Sequence, residues 1–168
     1  MIQKTKEYAI RCHTGTNHLY DGKPYSYHLN MVYNVGLKYI YLIPEAYKDV
    51  VLSACWAHDV IEDTRQTYND VKAETNTLIA ELVYALTNEK GRTRKDRAND
   101  KYYQGIRETP FAVFVKLCDR IANFEYSLQV NSSMANSYKR ENEHFMNSLW
   151  DPYYEDMFNH LKSLTVKM

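Results

Sequence analysis

Apolar residues recur at helical spacing along most of the chain, in runs such as Val50, Val51, Ala54, Cys55 and Ile61, or Leu78, Ile79, Leu82, Val83 and Leu86. Such a period buries one stripe of each segment as a helix and does not match the two-residue alternation of a half-buried strand. Five glycines and four prolines are spread over 168 residues, too few for a sheet-rich fold with many tight turns. The expectation is an all-α fold, a bundle of helices joined by short loops. At this length one hydrophobic core suffices, and residues 1–168 are read as one domain.

The periodicity predicts a first helix over residues 5–16, closed by Gly15, and then a turn at Asp21-Gly22 with Pro24 in an extended dipeptide. A second helix is expected over 27–41. A third follows Pro44, with Tyr47, Val50, Val51, Ala54, Cys55, His58 and Ile61 on its inner side, and ends near Asp63-Thr64. Thr67 with Asp70 has the spacing of a capping box, and 75–87 is again helical. Residues 90–97 carry five basic side chains against one acid and read as a loop entering a polar helix. After Pro110 a strongly apolar helix reaches about Leu128, followed by helices around 134–149 and 151–165.

Charge and cysteine usage exclude several classes. Lys and Arg number 21, as do Asp and Glu, so no global field draws the chain to nucleic acid or an anionic membrane. A nucleic-acid role through residues 90–101 would have only KGRTRKDR and two nearby tyrosines behind it, and a solvated helix face explains such a run better. Cys12, Cys55 and Cys118 sit among apolar neighbours outside any CxxC pair, as buried reduced thiols would. No stretch approaches the ~18 apolar residues that span a bilayer, nor does the N-terminus resemble a signal peptide, so a cytoplasmic protein is expected. Sixteen tyrosines are an unusual share, of the kind found at binding surfaces and wet core edges.

The chemistry concentrates in AHDVIEDT, residues 57–64, where a helix would set His58 beside Glu62 and Asp59 beside Glu62 and Asp63. Unpaired charge on an inward face is costly, and a divalent cation compensates for it. Asp119 interrupts the apolar face of VKLCDRIAN, residues 115–123, with Asn123 one turn later. A plain ion pair with Lys116 or Arg120 would also account for it. His28 opens the second helix. Together His28, His58, Asp59 and Asp119 supply two nitrogens and two carboxylate oxygens, a set that suits Mn²⁺, Fe²⁺ or Zn²⁺.

The order His, His-Asp, Asp resembles the HD phosphohydrolase superfamily. His13-Thr14-Gly15 followed by Asp21-Gly22-Lys23-Pro24-Tyr25 and His28 resembles the opening motif of the hydrolase domain of RelA/SpoT homologues, the alarmone-handling enzymes. AHDVIEDT is similar to their second motif, VKLCDRIAN to their third, and ALTNEK, residues 85–90, to the segment before their basic loop. The likeness runs over residues 5–127, and the length is that of the stand-alone small alarmone hydrolases. The resemblance implies a manganese-dependent HD-domain hydrolase that removes the 3′-pyrophosphate of guanosine tetra- or pentaphosphate. By the same resemblance His28, His58, Asp59 and Asp119 bind the metal, Glu62 and Asp63 handle the attacking water and its proton, and Asn123 touches the nucleotide.

Departures from that pattern bear on substrate. Leu19 and Tyr20 stand where the family carries a basic pair, and Glu125 stands in place of a basic residue after Asn123; Leu29, in place of a proline, changes helix entry rather than chemistry. Lys23, Arg92, Arg94, Lys95 and Arg97 then remain to meet the phosphates distant from the metal, with Arg94 and Lys95 on a basic loop that can fold over the pocket mouth. Tyr20 is expected to stack on a base without selecting it. The partner is a small phosphorylated nucleotide; the alternatives are hydrolysis of a different phosphorylated nucleotide and a non-catalytic nucleotide-binding regulatory domain.

Overall fold

The computed structural model describes residues 1–167. Its centre is the strongly apolar helix that the sequence places after Pro110. This helix, which becomes α9 in chain order, runs Ala112–Gln129 and buries 13 of its 18 residues. A helix covered on nearly all sides must lie inside a bundle.

The elements surrounding it are α1 (Ile2–Gly15), a two-residue hairpin β1 (Leu19–Tyr20) and β2 (Lys23–Pro24), α2 (Ser26–Tyr39), α3 (Lys48–Ala57), α4 (Val60–Asp63), α5 (Tyr68–Glu74), α6 (Thr77–Ala85), α7 (Arg94–Arg97) and α8 (Asp100–Glu108). After α9 come α10 (Met134–Leu149) and α11 (Glu155–Val166). Helices α2, α3, α8, α10 and α11 all pack on α9, and α1 lies along α3. The buried apolar residues form one cluster that draws on most of these helices. Among the described residues no helix is long and apolar enough to cross a membrane.

Local chemistry explains the element ends. Thr67 and Thr93 each accept from the backbone N–H three residues on, while Asp70 and Asp96 accept from the threonine N–H, so α5 and α7 begin in full capping boxes. The hairpin turns at Asp21 and Gly22, both at positive φ (48° and 75°), the paired left-handed conformations of a tight two-residue connection that Asp-Gly suits. Antiparallel pairing sets Leu19 against Pro24 and Tyr20 against Lys23.

Several expectations are corrected. The third helix is not continuous: it stops at Ala57, and a separate turn of helix starts at Val60. Tyr47 and Leu78, expected inside, are exposed, since Tyr47 belongs to a 3₁₀ turn ahead of α3 and Leu78 lies on the outer side of the first turn of α6. Cys55 and Cys118 are buried, whereas Cys12 is only half-buried; all three are free thiols. The polar helix after the basic loop is two pieces, α7 and α8, divided at Ala98-Asn99.

Candidate active site

The break between α3 and α4 is what builds the site. On a regular helix neighbouring side chains diverge by ~100° and do not meet. Asp59 leaves helical geometry (φ −100°, ψ 2°), which lets its carboxylate turn back to its neighbour: His58 Nε2 lies 2.9 Å from Asp59 Oδ2. The other imidazole nitrogen, His58 Nδ1, lies 2.9 Å from the Cys55 carbonyl oxygen. A carbonyl can only accept, so Nδ1 carries a proton and Nε2 is the nitrogen that faces the centre, able to offer its lone pair once a cation displaces its own proton.

His28 enters from α2 and Asp119 from α9. His28 Nε2 is 3.4 Å from His58 Nε2, 3.2 Å from Asp119 Oδ1 and 3.6 Å from Asp59 Oδ2, and His58 Nε2 is 3.5 Å from Asp119 Oδ1. All four residues are 9% exposed or less. Two imidazole nitrogens and two carboxylate oxygens therefore converge from three helical segments. Donors that share one ion at ~2.0–2.2 Å lie roughly 3–3.5 Å apart; His28, His58 and Asp119 have that spacing and Asp59 Oδ2 adjoins both imidazoles, so the residues fit a divalent transition-metal cation.

Without an ion the cluster is electrostatically coupled. Burial disfavours a charged His58, but the carboxylates of Asp59 and Asp119 outweigh it and hold the ring's pKa well above the ordinary histidine value. Asp119, likewise penalised by burial, is pulled well below the carboxylate range by Lys116, His28 and His58. Lys116 Nζ lies 2.9 Å from Asp119 Oδ2, so the ion pair that could have accounted for Asp119 by itself is present alongside the histidine contacts. Each oxygen of Asp119 serves different partners.

Glu62 and Asp63 adjoin Asp59, and the three carboxylates can place one oxygen each within 4.8 Å of one another. Asp63 is pushed up to about 8, first by burial and then by the charges of Asp59 and Glu62. Glu62, open to solvent yet ringed by protein, is also raised, by burial and by Asp59, against the Asn88 N–H that it accepts at 2.7 Å. His58 does not pair with Glu62 as a continuous helix would require; the break turns it to the two aspartates instead.

His28, Asp59, Glu62 and Asp119 form the floor of a cavity of about 540 Å³, whose other walls carry Arg94, Lys95, Arg97, Lys116 and Arg120; His58 and Asp63 lie behind that floor. Arg94 and Lys95 line the cavity, although Arg94 is tied to Glu141. Lys23 does not reach it: its Nζ lies outside, 2.9 Å from the Tyr126 hydroxyl. Tyr20 is not a free platform. One face lies on the His28 ring (centroids 4.8 Å, planes 17° apart), and its hydroxyl donates to Asn123 Oδ1 at 2.8 Å, so the hairpin holds it between α2 and α9. Asn123 in turn donates to Asp119 Oδ1 at 2.7 Å, so both its polar atoms are engaged in orienting the cluster. Glu125 faces away and pairs with His160 at 2.7 Å.

Residues not singled out from sequence also belong to the site. Tyr25 donates to Asp59 Oδ2 at 2.5 Å, and Tyr102, Tyr103 and Tyr138 line the cavity, which accounts for part of the tyrosine excess. Tyr25 lies inside the opening motif and could have been found there; Glu141 and Tyr138 lie beyond residue 127, where no motif pointed.

No protein-family model matches the chain. Among curated proteins, the guanosine-3′,5′-bis(diphosphate) 3′-pyrophosphohydrolase of Mus musculus is 32% identical over 74 residues, 44% of this chain and 41% of that protein. Its Drosophila melanogaster counterpart is 28% identical over 96 residues, 57% of this chain and 53% of that protein. The matched region spans about half the length of these relatives. A solved structure of a metazoan ortholog of SpoT, described as hydrolyzing ppGpp and playing a role in starvation responses, aligns with a TM-score of 0.76 at 20% identity over 99% of this chain and 94% of that one. The chain has the fold of that SpoT ortholog. Its sequence resembles the HD-type hydrolase domain of RelA/SpoT homologues, and the segments that carry the resemblance are those that supply His28, His58, Asp59 and Asp119 to one point of the fold.

Proposed function

We propose that the chain is a metal-dependent 3′-pyrophosphohydrolase of guanosine tetra- or pentaphosphate. The observation that carries this reading is the convergence of His28, His58, Asp59 and Asp119 beside Glu62 and Asp63, with His28, Asp59, Glu62 and Asp119 opening onto a cavity with basic walls. The names of the curated relatives, each a guanosine-3′,5′-bis(diphosphate) 3′-pyrophosphohydrolase, support the substrate.

The four converging residues would hold the ion, for which Mn²⁺ is proposed. When bound, it supplies Lewis-acid chemistry, withdrawing charge from a phosphoryl oxygen and making water a stronger acid. The remaining work falls to the protein. Water forms a bond to the phosphorus next to the ribose, the bond from that phosphorus to O3′ breaks, and the products are a 3′-hydroxyl and pyrophosphate. One proton leaves the water and one reaches O3′. Glu62 and Asp63 are close enough to Asp59 that the carboxylates resist carrying full charge together, so the pair is suited to taking the first proton and returning it to the leaving oxygen. Lys116 and Asn123 hold Asp119 in place. Lys95 and Arg97 offer positive charge to the phosphates farther from the floor.

The test is incubation of Mn²⁺-loaded protein with ppGpp, with GDP and pyrophosphate as the expected products and none from Asp59→Ala. Release of pyrophosphate from neither ppGpp nor pppGpp would overturn the reading.

A further inference from the structure

Two arginines of the cavity wall are already engaged. Arg94 donates from Nε to Glu141 Oε1 at 2.9 Å and from Nη2 to Glu141 Oε2 at 3.1 Å, and Arg120 Nη1 donates to the same Oε2 at 3.1 Å. Three residues from three elements, α7, α9 and α10, meet in the cavity wall, and a carboxylate sits between two guanidinium groups. Planar forks that grip a carboxylate in this way grip a phosphate with the same donors.

The two arginines differ in setting. Arg120 follows Asp119 directly on the central helix, is buried, and lies over the rings of Phe145 and Tyr138 at 4.3 and 5.0 Å, so it is fixed relative to the cluster. Arg94 is half-exposed on a single turn of helix. The Glu141 side chain is 34% exposed and has a route to water. Pulling it away with nothing in its place would leave Arg120 as a buried charge without its partner, which is costly. An incoming phosphate removes that cost.

We propose that Arg94 and Arg120 form a second phosphate subsite, occupied in the free protein by the Glu141 carboxylate, which the 5′-diphosphate of the nucleotide displaces. The proposal rests on the substrate reading above and deepens it. It accounts for the absence of basic residues at positions 19 and 20: the distant phosphates are met from the α7 and α9 side of the cavity, and Glu141 makes entry conditional on a group charged enough to replace it. A nucleoside without a 5′-phosphate has nothing to exchange for the carboxylate.

Calorimetric titration with GDP, which has the 5′-diphosphate but no group to be hydrolysed, tests the subsite without relying on turnover. Glu141→Gln should bind GDP about tenfold more tightly than wild type and guanosine no more tightly. Adding Arg94→Ala to Glu141→Gln should remove the gain. Glu143→Gln, two residues along on the exposed side of α10, controls for the general field and should leave GDP affinity unchanged. Unchanged GDP affinity in Glu141→Gln, or an equal gain in Glu143→Gln, would overturn the proposal and leave Glu141 as a counter-ion for Arg120. Should circular dichroism show Glu141→Gln unfolded, Arg94→Ala alone must weaken GDP binding several-fold, and wild-type affinity there would overturn it equally. Failure of the substrate reading would show separately, as tightened GDP binding in a protein that releases no pyrophosphate from ppGpp.

Discussion

His58 and Asp59 are consecutive residues that face one centre, and the distortion at Asp59 that allows this is held in part by Tyr25, whose hydroxyl donates to Asp59 Oδ2. Tyr25→Phe should lower stability by about 1.5–3 kcal/mol, the usual worth of a hydrogen bond to a charged group, and weaken metal affinity by roughly 10- to 100-fold. Urea unfolding and metal titration check both, and a loss under about 0.5 kcal/mol would place the hydroxyl outside the cluster's support. Asp63 gives a pH dependence with a definite sign. Its folded pKa of about 8 lies above the ordinary 3.8, so in metal-free protein its protonated form is favoured by folding. That contribution is complete below pH ~4 and is lost as pH rises through ~8. Asp63→Asn, which cannot ionise, should therefore stabilise the chelator-treated protein near pH 8 and have little effect near pH 4; the opposite order in thermal melts would contradict the assigned environment. Residues whose partners lie close in sequence, such as Asp119 and Asn123, were legible from spacing. The roles of Tyr20, Arg120 and Glu141 were not, because each depends on a contact across 20 residues or more: Tyr20 with Asn123, and Glu141 with Arg120 and Arg94.

The elements carry two close fits that substitutions would expose. Gly36 lets α2 approach α3: a Cβ there would stand 3.1 Å from Cys55 Sγ and 3.3 Å from Leu52 Cδ2. Gly36→Val should cost about 1–3 kcal/mol by overpacking, more than the helix propensity gained, and a variant as stable as wild type in urea would show that the two helices yield freely. Gly91 lies in the loop closed by the Glu89 N–H to Arg97 carbonyl bond, and its absent Cβ would fall 2.5 Å from Asp96 Cβ and 3.0 Å from the Asp96 carbonyl carbon. Gly91→Ala must displace α7 and with it Arg94 and Lys95. The expected result is a KM raised roughly tenfold with kcat largely kept, as when about 1.4 kcal/mol of uniform binding is lost. Helix positions followed from period and capping residues, and the capping box at Thr67 is present as its spacing predicts. The break after Ala57 was hidden, since VIED continues the helical pattern in sequence and only the tertiary demand for two adjacent side chains at one centre interrupts it.

Across the whole molecule, the central helix α9 supplies Lys116, Asp119, Arg120 and Asn123 to one cavity, so the helix at the centre of the bundle also organises the chemistry. The all-α architecture was legible because periodicity is a local property; the depth of the cavity and the balance of charge on its walls were not, because they arise from α7 and α10 meeting α9. If the account is right, metal retention and turnover separate. Glu62→Gln and Asp63→Asn should keep much of the metal affinity and lower kcat by about 10²-fold, the scale of proton-transfer catalysis. The most direct measurement is pyrophosphate release from ppGpp by protein stripped of metal and then titrated with Mn²⁺. The account predicts no release from the stripped protein, activity that saturates at one ion per chain, GDP as the nucleotide product, and no recovery in Asp59→Ala. Pyrophosphate release that is indifferent to metal, or a Mn²⁺-saturated wild-type protein that leaves ppGpp intact, would contradict it.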